Sequence, residues 1–153
     1  MISSVNSQTE VNLFTTSFYF LLGVQVTQKF KVELQPGIIY SEDRRYNAIP
    51  EIGVLGKYFL RTGKEYLLLG LISHSNWNGS SNSIQAAGKN LFLGSIGVGT
   101  KTSKITLLEL SYQFPIGNNE YCLQREYTNG IQRFTSVDLV GLLKLGFGIS
   151  FDL

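Results

Sequence analysis

The sequence predicts an all-β chain: an antiparallel, up-and-down transmembrane β-barrel with seven clear strands of an eight-stranded design. Three observations carry this. Apolar and polar residues alternate with a period of two along most of the chain. The segments between alternating runs are short and long in turn, as on a barrel with one trimmed and one elaborated rim. Charged residues are only 16% of the 153, against roughly 25% in a soluble domain, which leaves little charge to coat a wetted surface.

The elements follow in order, and the whole chain, 1–153, reads as one domain. Its start, MISSVNSQTEVN, lacks the basic end, apolar stretch and small-residue cleavage site of a secretory signal. Either a signal has been removed or this is not the natural start. Residues 1–16 read as a loop or a weak first strand, in which Val5, Thr9, Val11 and Leu13 alternate poorly; the barrel strands occupy 17–151. Phe18, Phe20, Leu22, Val24 and Val26 mark the first clear strand, and Phe30, Val32 and Leu34, alternating with Lys31, Glu33 and Gln35, mark the second. Ile52, Val54, Tyr58 and Leu60 mark a third. Tyr66 to Ile72 is apolar throughout, so its facing is ambiguous. Phe92, Ile96 and Val98 give a glycine-rich strand, and Leu108, Leu110, Tyr112 and Phe114 alternate with Glu109, Ser111 and Gln113. In the last strand Val137, Leu139, Leu143, Leu145, Phe147, Ile149 and Phe151 share one face. Asp138, Lys144, Gly146, Gly148 and Ser150 lie opposite, and Val140 and Leu142 are out of phase.

Short turns at Thr27 to Lys29, Arg61 to Lys64 and Thr100 to Lys104 alternate with long links at Ser41 to Ala48, Trp77 to Lys89 and Pro115 to Ser136. Alternation does not say which face points inward, because a soluble barrel with an apolar core gives the same pattern. Side-chain volume decides. A small barrel has room for one set of side chains inside, and the apolar faces are too bulky for that space. The opposite faces supply Lys31, Glu33, Glu51, Lys57, Glu109 and Lys144, balanced in sign and able to pair within a lumen. These six are the candidate lumen-facing residues. Aromatic residues collect near strand ends, at Tyr40, Tyr58, Phe59, Tyr66, Trp77, Phe114, Phe134 and Phe151, where interfacial girdles place them.

Other chemistries find little support. A net charge of +2, with Lys and Arg dispersed, is no footprint for nucleic acid. One Cys (Cys122) and one His exclude an internal disulfide and a zinc set, and no cofactor motif is present. His74, Ser75 and Asn76 are similar to the His-x-Ser-Asn of lipid A deacylases. The spacing is wrong, because adjacent residues on a strand point to opposite faces while nucleophile and base must meet. Gly94, Gly97 and Gly99, followed by Thr100, Lys101 and Thr102, lack the order of a phosphate loop and the helix that must follow one. Glu33, Glu51 and Glu109 are read as lumenal ion-pair partners rather than an acid/base pair, and Asp43, Arg44 and Arg45 as a solvated link. No catalytic residue is assigned.

The stretches FKVELQPGIIYSEDRR, AIPEIGVLGKYFLRTGKEYLLLGLISHSN, GSIGVGTKTSKITLLELSYQF and LLKLGFGISF together resemble the PorT-like outer-membrane β-barrel domain family over about residues 18 to 151. The motifs are Gln35-Pro36-Gly37 with Tyr40, Ile49-Pro50, Gly97 with Gly99, and Leu108-Glu109-Leu110 with Tyr112. The resemblance implies eight strands, a periplasmic amino terminus after signal removal and no common catalytic residues. Seven strands, however, put the two ends on opposite rims, whereas bacterial single-chain barrels have even strand numbers. An absent upstream strand is the preferred reading; residues 5 to 13 as an eighth strand paired with Val137 to Phe151 is the other. Without an eighth strand, the first and last strands should lie apart or pair directly in a smaller, strained closure.

The functional expectation is a non-enzymatic, porin-like barrel of the bacterial outer membrane. Its partner is the lipid bilayer, with a ligand or protein bound at the long loops; no wide pore is expected and the oligomeric state is not readable. The alternatives are a soluble β-barrel or sandwich binding a small apolar ligand, and a lipid A deacylase-like hydrolase.

Overall fold

A computed structural model describes residues 6–41, 49–61, 63–75, 84–86, 90–117, 120–128 and 131–152, with backbone alone at 6–12, 41, 84–86, 120–128, 131–137 and 152. All its regular elements are strands: β1 (Asn6–Thr27), β2 (Phe30–Ser41), β3 (Ile49–Phe59), β4 (Glu65–His74), β5 (Ile84–Ala86), β6 (Leu91–Lys101), β7 (Thr106–Pro115), β8 (Glu120–Thr128) and β9 (Ile131–Asp152). Seven of them, in the order β1-β2-β3-β4-β6-β7-β9, close into a barrel through pairing of β9 with β1. Neighbours are antiparallel except at that seam, where β1 and β9 run parallel from Asn6↔Phe134 to Gly23↔Asp152. The antiparallel expectation is corrected there, and the reason is parity. Seven strands joined by successive reversals leave the first and last pointing the same way, so only a parallel pair can close the sheet.

The expected eighth strand is also replaced. Residues 6 to 13 form neither a loop nor a separate strand; they are the first part of β1, held by β9. Of the two outcomes expected of a seven-stranded chain, direct pairing of the end strands is the one found. Following paired residues round the wall from Gly23 through Glu33, Leu55, Gly70, Ser95, Gln113 and Leu142 returns to β1 at Leu13, ten residues away. That stagger tilts the strands by about 45° and leaves an interior that side chains can fill.

The turns between β1 and β2, β3 and β4, and β6 and β7 lie on one rim, as expected. The longer links on the opposite rim hold structure that alternation alone had not marked. β8 pairs with the first part of β9, from Glu120↔Asp138 to Thr128↔Ile131, and β5 pairs with β8. Together with the start of β1 these strands carry the sheet beyond the barrel, so β1 and β9, at 22 residues each, are about twice as long as the other barrel strands. A signal was present: Asn129-Gly130, between Thr128 and Ile131, is the dipeptide of the tightest β-hairpin turns. The out-of-phase residues of the last strand also find a cause. The β1–β9 register slips between Val11↔Leu139 and Asn12↔Gly141, leaving Val140 as the extra residue of a bulge. Beyond it the facing reverses, so Leu139 and Leu142 are both buried while Leu143 is exposed.

Candidate functional site

The pleat gives each barrel strand one inward and one outward row. Lys31, Glu33, Glu51, Lys57, Glu109 and Lys144, placed by alternation on the face opposite the apolar rows, are all buried in the lumen, none more than 4% exposed. They form two groups. Toward the short-turn rim, Glu33 of β2 lies 2.6 Å from Lys31 and 2.5 Å from Lys57, and Lys57 of β3 lies 2.6 Å from Glu109 of β7. Ser150 of β9 accepts a hydrogen bond from Lys31 (3.0 Å) and donates one to Glu33 (3.3 Å). Tyr66 donates to one oxygen of Glu109 at 2.8 Å and Tyr19 donates to the other. Lys57 also lies 4.8 Å from the centre of the Tyr66 ring. Higher up, Lys144 of β9 binds both oxygens of Glu51 of β3, at 3.1 and 3.2 Å, with His74 Nε2 3.4 Å from the same carboxylate.

Three ammonium groups thus meet three carboxylates, and each buried charge has a partner, the condition under which burial is tolerated. The tyrosines fit because glycines stand opposite them. Tyr19 pairs with Gly148 across the seam and Tyr66 with Gly99 of β6, and a methyl group on either glycine would strike the ring. These glycines therefore pack against rings, and Gly97 and Gly99 lie in β6 with no helix after them. Tyr19, Tyr66 and His74 are lumen partners that alternation did not single out, whereas Ser150 lies on the face that alternation gave it, beside Lys144. Two aromatic residues expected in the girdles, Phe59 and Tyr66, turn inward instead, and with Leu68 form an apolar cluster at the short-turn end of the lumen. At the other end Ile39, Leu91, Leu93, Leu139 and Leu142 form a second cluster.

The outward rows differ completely. Phe18, Phe20, Ile52, Val54, Leu69, Leu71, Ile96, Val98, Leu110 and Phe147 are all exposed, Leu69 by 65%. Leu108 and Leu145, expected outward, lie half-buried in the same rows. The ambiguous run of β4 resolves into Tyr66, Leu68 and Ile72 inward and Leu67, Leu69 and Leu71 outward. Among the described side chains, the outward rows of the barrel carry one charge, Glu65, at the short-turn end of β4. Aromatic residues sit at both ends of these rows: Tyr40, Phe92 and Phe114 toward the long links, and Phe30, Tyr58 and Phe151 toward the short turns.

Among the described residues no three His, Cys, Asp or Glu side chains gather as metal ligands. His74 faces Glu51 and ends β4, so Ser75 lies just beyond the strand; Asn76, Trp77, Asp43, Arg44 and Arg45 lie outside the described residues, as do the side chains of Cys122 and Phe134. No known protein family, curated protein or solved structure matches the chain.

Proposed function

We propose that the protein is a non-enzymatic β-barrel spanning the bacterial outer membrane, with its apolar wall in lipid and its ion pairs in the lumen. One observation carries the reading: an exposed apolar wall on all sides of the barrel, charged among the described side chains only at one rim, around a lumen of paired charges. In water that order would be reversed, because exposed apolar patches of more than a few hundred Å² are rare on soluble monomers. The dimensions support it too. An eleven-residue strand such as β3, tilted by about 45°, rises about 25 Å, the height of the apolar band of known outer-membrane barrels. Closure of the wall satisfies the backbone where no water is available.

The alternative of a soluble barrel holding an apolar ligand fares worse, since the lumen is occupied by lysines, carboxylates and tyrosines. A lipid A hydrolase would need His74 to meet a nucleophile, and its neighbour is a carboxylate. The sheet projecting past the long-link rim is the natural place for a ligand or protein partner, and the PorT-like motifs favour this class of barrel. Carbonate washing of membranes from cells producing the full chain tests the proposal. The protein should stay with the membrane and need detergent for extraction; a monomer soluble without detergent overturns it.

A further inference from the structure

The outer wall of a barrel is convex, yet here it carries an apolar groove of about 760 Å³ across four adjacent strands, β2, β1, β9 and β7. Ile38 and Tyr40 form one side, Leu108 and Thr106 the other, and Phe18 and Phe147 stack between them with ring centres 5.6 Å apart. The groove coincides with a lapse in the wall. The β1–β2 ladder runs to Tyr19↔Gly37 and resumes at Leu22↔Leu34, skipping the stretch around Pro36, which has no N–H to donate.

Two features identify an occupant. The groove is continuous with the outward apolar rows, and an apolar hollow does not hold water. Its volume is within the roughly 300–1,000 Å³ of sites that hold one ligand of modest size. Its short-turn end is polar, and lysines stand in the turns of the rim beyond it. Thr102 lines it, in a turn pinned by hydrogen bonds among Thr102, Ser103 and Thr106 and carrying Lys104. The turn joining β1 and β2 carries Lys29. Exposed side chains described at this rim include Lys29, Arg61, Lys64 and Lys104 against Glu65, while Lys101 lies over the Phe59 ring.

We propose that the groove is a lipid site: an acyl chain of an anionic glycerophospholipid lies along the parallel seam, with its phosphate between the turns that carry Lys29 and Lys104. This rests on the membrane-spanning reading above. The test uses the full chain folded into vesicles of equal parts phosphatidylglycerol and phosphatidylcholine with identical acyl chains, then released in mild detergent and weighed intact by native mass spectrometry. One retained lipid is expected, with phosphatidylglycerol favoured by about fivefold, the scale of lysine attraction at a membrane surface. Lys29→Ala combined with Lys104→Ala should remove the preference while one lipid is still retained. Leu108→Trp, which fills the groove, should lower retention of both lipids several-fold, whereas Leu69→Trp on the opposite wall should not. Equal retention of the two lipids by an inserted wild-type barrel, unchanged by Leu108→Trp, overturns the lipid site and leaves the spanning reading intact. A chain that does not enter the vesicles overturns both.

Discussion

Lys57 lies between Glu33 and Glu109, and it is the cation that links the two carboxylates of the lower lumen. Removing one member of a buried pair costs far more than removing both, because the survivor keeps its desolvation penalty. Lys57→Met should therefore destabilise the barrel by about 3–5 kcal/mol in urea unfolding from lipid vesicles, and adding Glu109→Gln should recover part of the loss. Additive losses would show that the two side chains do not act on each other. Alternation separates the residues of this cluster from the outward rows, because a pleated strand sorts its side chains by parity alone. It does not say which partner each charge takes. That depends on the ten-residue stagger, which brings residues far apart in the chain to one level, as with Lys144 and Glu51. Nor did it single out Tyr19 and Tyr66, apolar by pattern and polar by their hydroxyl groups, which reach Glu109 only because glycines face their rings.

At the scale of the strand, the outward rows set the cost of a misplaced charge. Leu69 is central in β4 and fully lipid-facing in the spanning reading, so Leu69→Arg should weaken folding into vesicles by about 2–4 kcal/mol. Leu60, at the short-turn rim, should tolerate Arg with a loss of about 0–1 kcal/mol. Equal losses would count against the orientation. The seam has its own test. Phe20 and Ile149 are paired across β1 and β9, so with Cys122 changed to Ser, the variant Phe20→Cys with Ile149→Cys should form a disulfide on mild oxidation. An additional strand between β1 and β9 would hold the two cysteines too far apart to bond. The alternation of β9 and of β1 from Phe18 onward is readable in the sequence, and direct pairing of these strands is one of the two outcomes it leaves open; the parallel extension of β1 back to Asn6 is not readable. Parity makes the end strands parallel, whereas the familiar even-numbered design implies a further strand between them.

For the molecule as a whole, the lumen is crossed by ion pairs and closed at its two ends by apolar clusters, Ile39 with Leu91, Leu93, Leu139 and Leu142 at one and Phe59 with Tyr66 and Leu68 at the other. The barrel should therefore give no stepwise conductance in planar bilayers; steady porin-sized steps from the purified chain would contradict a filled interior. The parallel seam has a further consequence, in time rather than in space. The residues that close the wall, such as Phe18 and Phe147, are separated by nearly the whole chain, and contacts of such long separation form slowly because the loop between them must be ordered first. β1 can pair with β2 as soon as both exist, but its other edge must wait for the last strand. Closure is then the final and slowest step of assembly, and until it occurs β1 presents a row of unsatisfied backbone groups that a chaperone or a second unfinished copy could pair with.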